Sequence, residues 1–480
     1  MTKKTIFETA MDAVKSTGFT VKQSVVALLS FVISAGAFLS GEHLLAHTLA
    51  GRLQLFLLFF VLTIFFTGRR LNLPGRRRRT EAEVILLSTL SGAYFVAVFF
   101  IRDIKLFDGF MPVSIALPTA LVVMLVSISM DDRLGMIMAL LLPTGALISG
   151  SIDVYAFIMA AASSTSGALS LRRARRRMDM VLAGAVIAVV NVITVISIML
   201  MQNCPFKFYP FITFWAVVNG LASGMLVLGV LPMIENALHL ATTFRLIELL
   251  DTGAPILRKL ENSAPGTYSH SMMVAALAET ACNEIGAKAL LARVGAYYHD
   301  IGKIDHPEYF VENQKIYNKH NELNPRLSAT IIRSHVKLGI EKARAIGLPT
   351  EVISFIAEHH GNSLIKWFYN AALEKEGQVD REDFCYPGTP PHSRESAVVM
   401  LADVTEAATR TLEKPTVARL EKFIDDLFRD KYEHGQLAES ALTFRDMETI
   451  KSSFVRVLVG FYHSRIEYPK LSKPGTTVNN

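Results

Sequence analysis

The stretch AYYHDIGK, Ala296 to Lys303, ends an apolar run on an imidazole, His299, and a carboxylate, Asp300, with Lys303 three residues later. An adjacent His and Asp can be a plain surface pair, so partners elsewhere in the chain decide what it means. Such partners exist: His270 follows GTYS, His335 follows IIRS, His359 and His360 follow FIAE, and Asp403 follows VVMLA. Each ends or interrupts a hydrophobic stretch, where an imidazole or carboxylate is costly to bury unless hydrogen-bonded, paired or coordinated. One such residue reads as a satisfied core histidine. Five histidines and two aspartates together are explained in one step by a metal centre. That donor set suits a borderline-to-hard divalent ion such as Fe, Mn or Zn rather than a soft thiolate site. The three cysteines, Cys204, Cys282 and Cys385, have no metal-ligand spacing and form no disulfide framework, which fits reducing surroundings.

The elements that must carry these residues are helices. SHSMMVAALAETACNEIG, ALLARVGAYYHDIGK, RLSATIIRSHVKLGIEKARAIG, EVISFIAEHHG, SRESAVVMLADVTEAATRT and VARLEKFIDDLFRDKY each read as a helix ended by Gly or Pro. No run of alternating β-branched residues predicts a sheet. A linker helix is expected over Glu235 to Asn262, with Leu238, Phe244, Ile247 and Leu250 recurring on one side. GQVDREDFCYPGTPPHS reads as a long loop, of a length often tied to function. Ten of the 13 histidines lie at or beyond His270, and His306, His320, His392 and His434 sit in polar surroundings and read as surface residues.

The first half differs in kind. The 480-residue chain is 51% hydrophobic, with mean hydropathy +0.34, and the excess lies between about Ser24 and Pro232. Eight spans are expected: Val25–Ser40, Leu53–Phe66, Val84–Ile101, Pro112–Met130, Leu134–Gly150, Val154–Leu171, Met180–Met201 and Phe211–Ile234. The net charge of +6 comes with arginines clustered between these runs. GRRLNLPGRRRRTEAE carries six arginines and RRARRRMD carries five, while the alternate loops hold only Arg52, Arg102, Lys105 and Lys207. This bias places the N-terminus, both clusters and everything after the last span in the cytoplasm, and it is read as membrane topology and not as nucleic-acid binding. The first outer loop, GEHLLAHTLAGR, holds His43 and His47 at a zinc-compatible spacing, but with no third ligand nearby it reads as an interfacial helix end.

GTYSHSMMVAALAE, AYYHDIGK, SHVKLG, EHHG and MLADVTEAATR, in this order, resemble the motifs of HD-domain phosphohydrolases. The match is specifically to the seven-transmembrane-receptor HD group, whose members include cyclic di-AMP phosphodiesterases. The resemblance runs from about Thr242 onward and takes in the membrane region before it. It implies two divalent ions, one held by His270, His299, Asp300 and Asp403, the other by His335, His359 and His360, with Asp300 bridging. Asp300 and Lys303 would be catalytic, and Lys303, Arg394 and Arg410 would contact phosphate; Lys303 can also be read as an exposed cation at a helix end. Members of the group place a large extracytoplasmic sensor domain after the first span. Only Gly41 to Arg52 lies there, so this chain is expected to lack it. NKHNELNPRLSAT also departs from the family's usual segment.

The expected architecture is all-α: a polytopic transmembrane bundle followed by a cytoplasmic, all-helical HD domain. Its parts are a cytoplasmic segment over 1–23, the transmembrane domain over 24–235, a linker helix over 236–262, the HD domain over 263–470 and a disordered tail over 471–480. The expected activity is metal-dependent hydrolysis of a cyclic dinucleotide, cyclic di-AMP to linear pApA, at the inner membrane, with Fe or Mn favoured. The alternatives are hydrolysis of another nucleotide or phosphate ester, and a non-catalytic nucleotide-binding membrane receptor. Substrate and lipid bilayer are the expected partners, with no DNA or RNA, and a homodimer is compatible with this reading.

Overall fold

The structure, a computed structural model, describes residues 81–101, 117–172, 174–314, 317–412 and 416–463. The first two expected spans, the His43 and His47 loop, the N-terminal segment and the C-terminal tail lie outside the described residues. Among the described residues every regular element is a helix, and the only β-type pairing is an isolated bridge between Leu364 and Cys385. The all-α expectation holds. The chain divides into two compact units, 1–248 and 249–480.

The first unit contains α1 (Glu81–Ile101), α2 (Thr119–Ser129), α3 (Asp132–Ile148), α4 (Val154–Leu171), α5 (Met178–Met201) and α6 (Tyr209–Leu238). Asp131 and Asp153 start α3 and α4 by accepting hydrogen bonds from the backbone N–H groups of Arg133 and Ala156, which satisfies donors that a helix start leaves unpaired. Three helices, Val154–Leu171, Met178–Met201 and Phe206–Leu238, are long and apolar enough to cross a membrane by length and composition. The apolar stretches Ile85–Ile101 and Thr119–Ser129 are shorter. Leu182, Val189 and Ile193 on α5 and Phe214 and Met225 on α6 are largely exposed, an outward apolar face that lipid would cover. Together these features describe a membrane protein.

Helices α5 and α6 meet along small residues. A Cβ on Gly220 would lie 2.3 Å from the Ala188 nitrogen, and one on Gly224 would lie 2.5 Å from the Met180 carbonyl oxygen. Such close approach is how helices gain packing where apolar solvent supplies no hydrophobic drive. Buried Asn191 spans the same seam, its Nδ2 donating to Asn219 Oδ1 at 3.2 Å and to the Ala216 carbonyl at 3.3 Å.

The expected linker helix is instead broken. His239 takes a left-handed conformation (φ 48°) and ends α6, and Thr242 Oγ1 accepts from the Arg245 N–H at the start of α7 (Thr243–Leu249). A further turn precedes α8 (Pro255–Ser263), whose first residue, Pro255, has no N–H to leave unpaired. Apolar periodicity continues across these breaks, which is why the sequence reads as one helix.

The second unit holds α8 with α9 (Pro265–Glu284), α10 (Ala289–Tyr298), α11 (Pro325–Ala345), α12 (Thr350–Glu358), α13 (Lys366–Glu376), α14 (Arg394–Thr409), α15 (Val417–Glu433) and α16 (Phe444–His463). Its core is built from α9, α10 and α14, with Val274, Leu277, Ala278, Ala292, Ala296, Val398, Leu401 and Ala402 fully buried. Gly295 lets α10 meet α12 closely, since a Cβ there would stand 2.4 Å from the Phe355 ring. This close-packed frame holds the helix ends that carry the polar cluster.

Candidate metal and phosphoester site

The HD pair sits where α10 stops. His299 keeps helical geometry as the C-terminal cap, and Asp300 then turns out of the helix (φ −111°, ψ 15°) into the 3₁₀ turn Ile301–Asp305. Gly302 brings this turn against α11, because a Cβ there would lie 1.8 Å from the His335 carbonyl oxygen. His359 and His360 occupy the corresponding end of α12, where Gly361 (φ 55°) makes a left-handed turn that side chains resist. His270 comes from α9 and Asp403 from α14.

All seven residues singled out in the sequence converge. Asp300 Oδ2 lies 3.3 Å from His299 Nε2 and 3.8 Å from His270 Nε2, while Oδ1 lies 3.5 Å from His335 Nε2 and 3.6 Å from His359 Nε2. One carboxylate oxygen faces each group of histidines. Asp403 also touches both: Oδ1 is 3.0 Å from His270 Nε2 and Oδ2 is 3.5 Å from His360 Nδ1. The family resemblance implies Asp403 for one group only. Within the sets His335–His359–His360, His270–His299–Asp403 and His299–Asp300–His359, one donor atom from each residue comes within 4.8 Å of the others.

The donors are oriented for a cation. Nδ1 of His299 faces the Ala296 carbonyl at 2.7 Å, that of His335 the Ile332 carbonyl at 2.5 Å, and that of His359 the Ile356 carbonyl at 3.0 Å. These contacts assign the proton to Nδ1 and leave Nε2 as a lone-pair donor. The Nε2 atoms of His335 and His359 then face each other at 3.2 Å, a repulsive arrangement that a shared cation relieves. His299 Nε2 and Asp300 Oδ1 are buried with no hydrogen-bond partner, and Asp300 Oδ2 has only its ion pair with Lys303. An orphaned buried polar atom is costly, and here the orphans converge. The residues fit a bound divalent metal.

Electrostatics point the same way. Burial holds the His335 imidazole down at about 3, reinforced by the charges of His359 and Lys303 against the pull of Asp300. His360 is likewise held well below the usual histidine range by burial and by His359. Both are therefore neutral, as a metal ligand must be. Burial opposes ionisation of Asp300, but Lys303 and then His299 outweigh it and hold the carboxyl well below its ordinary range. His270 goes the other way: burial disfavours its charge, yet the hydrogen bonds to Asp403 and Glu406 raise it to about 10. A cation at Nε2 would replace that proton.

Several residues here escaped the sequence reading. Glu406, three residues after Asp403, hydrogen-bonds His270 Nδ1 and orients the ring. Glu312 is paired with Lys303 at 2.9 Å and accepts from Thr267 Oγ1. Tyr386, from the long irregular loop, stacks on His360 with centroids 4.1 Å apart. The spacing D-x-x-E in DVTEAATR was the available signal for Glu406; no local pattern marked the other two.

Lys303 is not an exposed cation: it is buried, with Nζ 2.7 Å from Asp300 Oδ2 in an ion pair whose angles fall outside hydrogen-bond geometry. Arg410 lines the cavity with its guanidinium 2.6 Å from Glu406. Arg394 is not brought to the site; it donates to the Ile285 carbonyl and pairs with Asp446 at 2.9 Å. His320 is not a plain surface residue, since its ring packs against Phe368 (4.9 Å) and Tyr309 (5.5 Å) on the cavity wall. His392 pairs with buried Glu358. The cavity itself has a volume of about 810 Å³, and its lining includes His270, His335, His359, His360 and Asp403 as well as Tyr309, Trp367 and Phe368.

A family model described as a 7TM receptor with intracellular HD hydrolase matches residues 48–242, and an HD-domain model matches residues 267–408. The chain is 39% identical over 365 residues to the cyclic-di-AMP phosphodiesterase PgpH of Bacillus subtilis, covering 74% of this chain and 51% of that protein. It is 33% identical over 405 residues to PgpH of Listeria monocytogenes, covering 82% and 56%. It thus spans about half the length of these curated relatives. A crystal structure of the L. monocytogenes PgpH HD domain in complex with cyclic-di-AMP is 41% identical, covers 44% of this chain and 100% of that one, and gives a TM-score of 0.43. One model thus matches the apolar helices and the other the polar cluster, in the order of a 7TM receptor with an intracellular HD hydrolase.

Proposed function

We propose that this chain is a membrane-anchored, metal-dependent phosphodiesterase that opens a cyclic dinucleotide, cyclic di-AMP, to linear pApA, with the catalytic unit facing the cytoplasm. The observation that carries the reading is the Asp300 carboxylate, with one oxygen toward His270 and His299 and the other toward His335 and His359. The proposed holders of one ion are His270, His299, Asp300 and Asp403, and of the other His335, His359 and His360, with Asp300 shared. The imidazole and carboxylate donors suit a borderline-to-hard divalent ion, and iron or manganese is the proposed occupant. Such a pair, when bound, supplies Lewis acidity that lowers the pKa of water and neutralises charge on an in-line phosphoryl displacement.

The chain's own residues prepare that chemistry. Backbone carbonyls hold three imidazoles by Nδ1, and Glu406 holds a fourth, His270. Lys303 keeps Asp300 ionised in a buried position, where a lone carboxylate would tend to take up a proton. A cavity of about 810 Å³ is within the usual range for small-molecule sites. Relatives named as cyclic-di-AMP phosphodiesterases support the choice of substrate. The test is incubation of the purified protein with cyclic and linear nucleotides, with products identified, before and after chelation. Turnover of cyclic di-AMP that stops on chelation and returns with Mn²⁺ or Fe²⁺ is expected. Hydrolysis by rigorously metal-free protein, or of linear substrates only, overturns the reading.

A further inference from the structure

A cyclic dinucleotide carries two phosphodiesters, and a site that cleaves one must still accommodate the charge of the other. Four lysine and arginine side chains line the cavity: Lys303, Lys375, Arg410 and Lys431. Lys303 is committed to Asp300 and Glu312, and Arg410 to Glu406. Lys375 stands on an exposed stretch of α13. Lys431 is different. It comes from α15, beyond residue 408 where the HD-domain match ends, and it is half-buried.

Its Nζ donates to Ser363 Oγ at 3.1 Å, and among the described residues no carboxylate lies within ion-pair distance of it. The acid beside it, Asp430, is taken by Lys366 at 2.6 Å. Ser363 is tied to the metal-facing turn: its N–H donates to the His360 carbonyl at 3.1 Å, and its carbonyl accepts from the Tyr386 N–H at 3.0 Å. The ammonium is thereby anchored next to the His360–Tyr386 stack. Burial pulls it below the ordinary lysine range, with Asp403 and Asp430 only partly offsetting. A half-desolvated cation with no carboxylate in direct contact, on a cavity wall, is arranged for an anionic ligand.

We propose that Lys431, positioned by Ser363, is the specificity residue that binds the phosphodiester not being cleaved. This rests on the cyclic-dinucleotide reading above. It is tested with the full-length protein, Mn²⁺-loaded, as wild type, Lys431→Met, Lys431→Arg and Ser363→Ala. Each is assayed on cyclic di-AMP and on bis(p-nitrophenyl) phosphate, which has a single phosphodiester. For Lys431→Met, KM for cyclic di-AMP should rise about 10- to 100-fold with kcat changed less than about threefold, the loss expected for one charge-assisted hydrogen bond. Turnover of bis(p-nitrophenyl) phosphate should be unchanged, which also shows that the variant is folded. Lys431→Arg should recover most of the affinity, and Ser363→Ala should show a smaller KM effect of the same kind. An unchanged KM, or equal losses on both substrates, overturns the assignment while leaving the enzyme reading intact. Wild-type protein that cleaves only the chromogenic ester overturns the cyclic-dinucleotide reading and this inference with it.

Discussion

Lys303 Nζ lies 2.7 Å from Asp300 Oδ2, and both side chains are buried. The same ammonium is 2.9 Å from Glu312, so one cation serves two buried carboxylates. A lysine three residues after an HD pair looks like a free phosphate contact, whereas here its first partner is the carboxylate between the two histidine groups.

Removing that cation should damage the centre before it affects any substrate contact. Lys303→Met leaves Asp300 and Glu312 buried without their partner, a loss of about 3–5 kcal/mol where a buried pair is broken. Thermal unfolding should shift downward and bound metal should fall. Adding Glu312→Gln should recover part of the stability, because one uncompensated charge is removed. A single variant with wild-type Tm and metal content, but reduced turnover, would assign Lys303 to substrate instead.

Asp300 and His270 should differ in kind. Asp300 presents an oxygen to each group, whereas His270 reaches one. Elemental analysis should show about two ions per wild-type chain, close to none for Asp300→Ala, and one retained for His270→Ala. Asp403 also touches both groups, so Asp403→Ala should fall between them. Equal metal content in all three variants would refute the bridging geometry.

Arg394 should prove structural. Its guanidinium donates to the Ile285 carbonyl and to Asp446, away from the cavity, so Arg394→Ala should cost about 1–2 kcal/mol of stability and leave kcat/KM within about twofold. The Asp446 carboxyl sits below its ordinary value: burial opposes this, but hydrogen bonds from Thr443 and the charge of Arg394 outweigh it. A depressed folded-state pKa means stability present above the unfolded value of about 3.9 and lost as pH falls through the lower, folded value. Between those values Arg394→Ala should show a weaker acid dependence than wild type, measured by urea unfolding across pH 2–6.

The glycine seam of the membrane unit allows a direct packing test. With the Ala188 nitrogen 2.3 Å from where a Gly220 Cβ would stand, Gly220→Leu must force α5 and α6 apart. The expected penalty is at least the about 1–3 kcal/mol of ordinary overpacking. Met225→Leu on the outward face of α6 is the control. Thermal aggregation of the detergent-solubilised protein should start lower for Gly220→Leu and be unchanged for Met225→Leu.

What could be read from the sequence had a local signature. Helices announce themselves by apolar spacing, and the seven clustered residues by being His or Asp on otherwise apolar helical stretches. What could not be read depends on contacts between distant segments. Glu406 stands one helical turn after Asp403, but its role shows only when His270 from α9, 136 residues earlier, is placed against it. Tyr386 and Lys431 come from a loop and from a helix with strong amphipathic patterning, and only the fold brings them beside His360 and Ser363. The break at His239 was hidden because a left-handed histidine leaves no gap in an apolar pattern.

The arginine asymmetry predicts an orientation that labelling can check. In α5 the chain passes from the cluster at Arg175, Arg176 and Arg177 to the loop holding exposed Lys207. A helix of 24 residues is long enough to cross hydrocarbon, roughly 30 Å thick. These two ends should therefore face opposite compartments. If positive charge marks the cytoplasmic side, an impermeant thiol reagent applied to intact cells should modify Lys207→Cys and spare Arg175→Cys. Arg381→Cys, exposed in the second unit, should also be spared, since a nucleotide substrate would be cytoplasmic. The background should be a chain with Cys204, Cys282 and Cys385 replaced, and permeabilised cells should label all three positions. Labelling of Arg175→Cys and Arg381→Cys with protection of Lys207→Cys would invert the topology and put the histidine cluster outside the cell, where the proposed substrate is not made. Labelling of Lys207→Cys and Arg381→Cys together would instead require an odd number of crossings between α5 and the second unit to be recounted, with Phe206–Leu238 lying along the membrane instead of through it.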